Sequence, residues 1–215
     1  MKVLIVTGGI GSGKSTVCSM LEKDYGYPVY EADKRVKELY SVHPGLLTDI
    51  EESLGERFRN EDGSFQPAGL AARIFSDSAD MQKVESLVFP VLVEDFENWK
   101  DANADKEILV LESATILEKP SILGLGDEVI VVDAPLQMRI DRAVRRDGIS
   151  ETVVLSRVAS QKLMNEISEG HVPETVDYMI KNDSDMDTLA ERVKAYVSMS
   201  DKQNNNFINK LNDED

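Results

Sequence analysis

The sequence predicts an α/β fold, a parallel sheet flanked by helices, on three observations. Three apolar runs, Val3 to Val6, Ile108 to Leu111 and Val129 to Val132, are continuous rather than alternating, as in strands buried on both faces. Between them apolar residues recur at helical spacing, as in Val17, Met20 and Leu21, or Leu189, Val193, Tyr196 and Val197. Strands that alternate with helices imply crossover connections, which parallel pairing requires.

Taken in order, the run from Val3 ends in glycines and is followed by the first helical pattern, and Pro28 to Tyr30 is a shorter candidate strand. From 42 to 104 the strand signal disappears. Leu46, Leu47, Ile50 and Leu54 repeat at helical spacing, and Asn60-Glu61-Asp62-Gly63 marks a turn. A longer helical pattern runs from Met81 through Val84, Val88 and Leu92 to Trp99, and Pro90 is expected to kink or divide it. This segment, 42–104, reads as a helical insertion for a second substrate. The strands at Ile108 and Val129 follow, then an arginine-rich helix after Asp133. Residues 148–172 lack strand signal and have glycine near both ends, Gly148 and Gly170, which suits a lid. Tyr178 to Ile180 is the last candidate strand, and the Asn-rich, acidic tail 201–215 is expected to be disordered. The nucleotide-binding core is thus assembled from 1–41, 105–147 and 173–200, within one domain covering 1–200.

The chain has 215 residues, of which 41% are hydrophobic, enough for a substantial core. Lys and Arg number 24 against 40 for Asp and Glu, a net charge of −16. That surface disfavours nucleic-acid and anionic-membrane partners, so any anionic ligand must be held by a local exception to the overall charge. One cysteine, Cys18, excludes an intrachain disulfide and reads as a small buried apolar residue. The apolar runs are too short to span a bilayer and the N-terminus lacks a cleavage pattern, so a cytoplasmic protein is expected.

The local exception is Gly8-Gly9-Ile10-Gly11-Ser12-Gly13-Lys14-Ser15, which fits G-x-x-x-x-G-K-[ST] between a buried strand and a helix. Gly11, Ser12 and Gly13 let backbone N–H groups turn around phosphate oxygens, and the helix N-terminus adds partial positive charge. Lys14 is positioned by the motif for the β- and γ-phosphates of ATP, Ser15 for Mg²⁺ and Thr16 for the α-phosphate. A switch GTPase is disfavoured, because no Asp has Gly three positions later and the one Asn-Lys pair, Asn209-Lys210, continues into Leu211-Asn212. Arg139, Arg142, Arg145 and Arg146 fall on one helix, with Arg142 and Arg146 sharing a face, and Arg157 stands in the lid segment. Mobile positive charge of this kind suits transfer of a phosphoryl group, with Arg142 and Arg146 as catalytic candidates and Arg157 on the nucleotide.

In order along residues 1 to 200, these segments resemble the dephospho-CoA kinase family. The resemblance rests on Thr7 to Ser15, on Glu31-Ala32-Asp33 as an Asp-x-Asp segment, and on Glu112-Ser113 at a strand end. It continues through Val132-Asp133-Ala134-Pro135, Arg142 to Gly148, Arg157 to Gln161, and Asp177 to Asn182. It implies a P-loop kinase fold with a five-stranded parallel core, a helical CoA-binding insertion and a lid. The implied activity is transfer of phosphate from Mg·ATP to the 3′-hydroxyl of dephospho-CoA, the last step of CoA synthesis. A P-loop kinase of another acceptor and an inactive nucleotide-binding protein remain the alternatives. Asp33 is the implied catalytic base, against a reading as cap of a helix beginning at Lys34, and Asn182 is implied to bond adenine. Glu112 either holds a magnesium-bound water or is structural. Two departures fall on the acceptor side, Phe89-Pro90 for the usual His-Pro and Pro67 for a basic residue.

Overall fold

The computed structural model describes residues 1–212. Five strands form one sheet: β1 (Lys2–Thr7), β2 (Val29–Glu31), β3 (Ile108–Glu112), β4 (Glu128–Asp133) and β5 (Tyr178–Lys181). Their order is β2-β3-β1-β4-β5 and every neighbouring pair is parallel. The three continuous apolar runs are therefore the three inner strands, covered on both faces, and the two shorter candidates are the edges.

Successive side chains of a strand point to opposite faces, and the core divides accordingly. Val3, Ile5, Leu109, Leu111 and Val129 pack against the helices of the insertion. Leu4, Val6, Ile108, Val110, Ile130 and Val132 pack on the other face against α1 (Lys14–Tyr25) and α10 (Met186–Asn212). Helix α1 contributes Val17, Cys18 and Leu21, and α10 contributes Leu189, Val193, Tyr196 and Val197, the spacing read from the sequence. Burial of each large apolar side chain contributes about 1.5–3 kcal/mol.

After α2 (Ala32–Val42), the insertion holds α3 (Leu46–Leu54), α4 (Pro67–Ser76) and α5 (Ser78–Ala102). The expected turn joins α3 to α4, with Gly63 N–H donating to Asn60 O and an antiparallel bridge between Arg59 and Phe65. Pro67 occupies the first position of α4, where no intrahelical N–H is needed. Pro90 does not divide the long helix: α5 is continuous from Ser78 to Ala102. A proline inside a helix costs about 3 kcal/mol or more, partly through the carbonyl four residues earlier that loses its donor. Here Pro90 and Ser86 both lie on the exposed face, so water can satisfy that carbonyl, and the buried stripe Val84, Val88, Leu92 and Phe96 holds the helix down.

Between β3 and β4 lie a 3-10 turn (Ile116–Glu118) and the short α6 (Pro120–Leu123). Helix α7 (Leu136–Asp147) carries the arginines, and α8 (Glu151–Ser160) and α9 (Lys162–Ser168) occupy the segment read as a lid. Helix α10 runs past the expected start of the disordered tail as far as Asn212; no Gly or Pro stands between Met186 and Asn212 to stop it, and 213–215 lie outside the described residues. No helix among the described residues is long and apolar enough to cross a membrane. Because all five strands run the same way, Thr7, Glu31, Glu112 and Asp133 end on one edge of the sheet, where ligands of open α/β sheets bind.

Candidate active site

The glycine loop joins β1 to α1 on that edge. Gly13, at φ +100°, caps α1 without any side-chain bond to the first turn, so no side chain covers the helix's leading end, where an anion is favoured. The close neighbours explain why glycine stands here: a Cβ on Gly13 would lie 2.1 Å from Asn182 Nδ2. Ser12 is buried, and among the described residues its Oγ has no hydrogen-bond partner.

Asn182, which follows β5, is buried and braces this loop. Its Nδ2 donates to Ser12 O at 2.8 Å, and its backbone N–H to Asp133 O at 2.7 Å. Arg142 reaches it in turn, with both terminal nitrogens 3.3 Å from Asn182 O and Nη2 also 3.3 Å from Oδ1. The side-chain amide implied for adenine is thus engaged with the loop and Arg142.

The charges meet beside the lysine. Burial pushes the Lys14 ammonium below its ordinary pKa, while Glu112 and Asp33 pull it back up and Arg146 adds to the lowering. Glu112, at the end of β3, is pushed up to about 7 by burial; Lys14 opposes that shift, and Asp33 and Glu31 reinforce it. Lys14, Asp33, Glu112 and Arg146 therefore share one field.

Register sets Asp33. Glu31 pairs with Glu112, so the residues just beyond each strand lie side by side. Asp33 Oδ1 accepts from Ser113 Oγ at 2.9 Å, and Oδ2 accepts from Ala114 N–H at 2.9 Å. The helix starts at Ala32 with Glu31 in the cap position, so Asp33 lies inside its first turn and does not cap it. Each of its oxygens keeps a lone pair for a further donor.

Asp33 also lines a cavity of about 430 Å³ between α2, α4, α5 and the chain after β3. Its walls are mostly apolar, among them Val36, Leu70, Ile74, Val84 and Val88. Phe89 and Pro67, the two departures from the family pattern, both line it. Lys37 and Lys119 bring positive charge, Lys119 being 2.5 Å from Glu85 across the same wall.

The remaining arginines divide between partners. Arg146 grips Asp147 through Nε at 2.6 Å and Nη2 at 2.9 Å, and Arg157 lies 3.6 Å from the same carboxylate. Arg146 and Arg157 thus meet at Asp147, whereas Arg142 sits with Asn182. Ser15 and Thr16 are together at the start of α1, beside a second, more open hollow reaching Met186. Two residues outside the expected set touch the loop: Gln161, whose Oε1 accepts from Ile10 N–H at 2.8 Å, and Arg139, which is 2% exposed. Helical periodicity carried a signal for Arg139, which stands next to Ile140 and four residues before Ala143, on the buried stripe of α7.

A phosphate loop and its lysine on the carboxyl edge of a parallel sheet, with an arginine-bearing helix after β4, place the chain among the P-loop kinases. The dephospho-CoA kinase family model matches residues 2–188, and the chain belongs to that family. A dephospho-CoA kinase from Bacteroides fragilis is 33% identical over 183 residues, 84% of each chain. One from Porphyromonas gingivalis is 34% identical over 171 residues, covering 80% of this chain and 83% of its own. Among solved structures, dephospho-CoA kinase from Campylobacter jejuni superposes with a TM-score of 0.65 at 20% identity, covering 94% of this chain and 98% of its own. Shikimate kinase from Acinetobacter baumannii, at 12% identity and a TM-score of 0.52 over 94% of each chain, shares the fold.

Proposed function

We propose that this chain transfers the γ-phosphoryl group of ATP to the ribose 3′-hydroxyl of dephospho-CoA, leaving ADP and CoA. The observation that carries the reading is the placement of Asp33, which shares a field with Lys14 and lines the insertion's cavity. An acceptor seated in that cavity presents its hydroxyl to the Asp33 carboxylate, which orients it and takes its proton. Transfer through a loose transition state depends mainly on alignment and charge neutralisation. Lys14 and the loop N–H groups supply that neutralisation on the nucleotide side, and Arg146 joins them when it exchanges Asp147 for phosphate. Residues 148–172 act as the lid, bringing Arg157 with them.

The donors suit a hard divalent cation, since the Ser15 hydroxyl and the Glu112 carboxylate are oxygen ligands. Ser15 would hold Mg²⁺ and Glu112 a water bound to it. The ion supplies neutralisation of phosphate charge.

Turnover with ATP and a panel of acceptors tests the proposal, with CoA identified by mass. Dephospho-CoA is expected to exceed adenosine and simple alcohols in kcat/KM by roughly a hundredfold or more, because its remote parts bind in the cavity. A different preferred acceptor would make the enzyme another P-loop kinase. ATP binding without turnover of any acceptor would make it a nucleotide-binding protein.

The arginines are expected to separate kinetically. Arg146→Ala should lower kcat more than it raises KM for ATP, the pattern of an interaction made in the transition state. Arg142→Ala should chiefly raise KM for ATP, because its partner Asn182 braces the loop that binds the nucleotide. Steady-state kinetics with ATP varied at saturating acceptor distinguishes the two, and identical patterns would return Arg142 to the transferring phosphate.

A further inference from the structure

We propose that Arg139 is a positioning residue: its buried guanidinium holds the Ile10 carbonyl turned toward α7 and thereby presents the Gly11 N–H to the phosphates of ATP. The inference rests on the assignment of the glycine loop to phosphate.

Arg139 breaks a local rule. It stands on the buried stripe of α7 with Ile140 and Ala143, where an apolar side chain would pack without cost. Its guanidinium stays charged at any physiological pH, and Asp133 is the carboxylate that offsets the burial. What this buried cation bonds is the loop. Nε donates to Ile10 O at 3.1 Å, and Nη1 lies 3.5 Å from Ser168 Oγ, which itself donates to Asp133 Oδ1 at 2.8 Å. The guanidinium is also wedged against the loop. A Cβ on Gly9 would lie 2.0 Å from Nη2, and one on Gly11 2.0 Å from the Arg139 carbonyl oxygen. Gly9 thus leaves room for the guanidinium itself, and Gly11 lets the loop approach the backbone of α7.

The consequence follows from peptide geometry. Ile10 C=O and Gly11 N–H belong to one peptide unit, and in a trans peptide they point in opposite directions. All peptides among the described residues are trans. Fixing the carbonyl on Arg139 fixes the Gly11 N–H on the other side. The preceding unit is held too, because Ile10 N–H donates to Gln161 Oε1 between α8 and α9. A loop of four glycines has several accessible conformations, and these two bonds select one. Arg139 and Gln161 also tie the loop to α7 and to the α8–α9 segment, so the cradle is shaped by the same helices that carry the phosphate-seeking arginines.

The test compares Arg139→Met, which fills the space without donors, with Arg139→Lys, which keeps the charge and one donor group. Arg139→Met is expected to raise KM for ATP, and the Kd of a non-hydrolysable ATP analogue, by roughly tenfold or more, with KM for dephospho-CoA unchanged to within about twofold. Arg139→Lys should recover part of the affinity. A merely structural role would lower the melting temperature and leave both KM values alone, and a folded Arg139→Met with parental KM for ATP would overturn the inference. A measurement on the parent covers a variant that does not fold. The Gly11 amide resonance of ¹⁵N-labelled protein should shift strongly on adding the analogue, and an unmoved resonance overturns the inference. Lys14→Ala separates the two levels. Weakened analogue binding there beside parental binding in Arg139→Met refutes the role of Arg139 alone. Parental binding in both variants refutes the phosphate-loop assignment and this inference with it.

Discussion

Lys14→Ala is expected to reduce turnover by roughly a hundredfold or more while leaving the fold intact, the loss typical of removing one electrostatic stabiliser of a transferring group. The stability half of this prediction follows from the sign of a shift. Burial lowers the Lys14 pKa, so folding disfavours its charged form, and removing it relieves a penalty instead of breaking a stabilising contact. The melting temperature should be no lower than that of the parent. One cost opposes this: Lys14 is the largest influence restraining the upward shift of Glu112, so without it Glu112 protonates more readily near neutral pH. Protonation removes the charge and with it the penalty, so the fold tolerates the change. Circular dichroism, a melting curve and a coupled ADP assay make the measurement. Parental activity would remove the loop from the mechanism.

Asp33→Asn should cut kcat by roughly a hundredfold or more, as for loss of a positioned general base. The substitution fits the site. The Asn carbonyl can accept from Ala114 N–H, and the amide can face Ser113 Oγ, whose hydroxyl rotates to accept. What is lost is the charge and the second acceptor oxygen. ATP affinity, measured calorimetrically without acceptor, should be unchanged or slightly tighter, because a carboxylate in the field of Lys14 repels phosphate. The combination of impaired kcat and intact ATP binding is what places Asp33 on the acceptor. Normal turnover would leave the base unidentified. A large fall in melting temperature would make Asp33 a structural link between α2 and the chain after β3.

Local patterns carried the elements of this protein and their order. A strand covered on both faces has no polar face, so β1, β3 and β4 stood out as unbroken apolar runs, and the 3.6-residue repeat announced α1, α5 and α10. The phosphate loop was legible because its chemistry is backbone chemistry. Glycines, a lysine and a hydroxyl at fixed spacing between strand and helix are all the site requires, and all lie within eight consecutive residues. Where a decision depended on what lies across space, sequence was silent or misleading. Pro90 reads as a kink or a division, yet α5 is not divided, because its carbonyl partner at Ser86 lies on the exposed face while Val84, Val88, Leu92 and Phe96 anchor the helix. Asp33 also has a reading as a helix cap. The helix begins before it, and the β2–β3 register sets it against Ser113 and Ala114. The arginines of α7 read as one cluster because they share a sequence window. The helix turns them to different neighbours: Arg139 under the loop, Arg142 to Asn182 and Arg146 to Asp147. Composition and spacing were enough to determine a nucleotide-binding parallel α/β fold. Which charges are buried, which are paired and which line the insertion's cavity was decided only by packing, because solvation and partner geometry set the energy of a charge and neither is local in the chain.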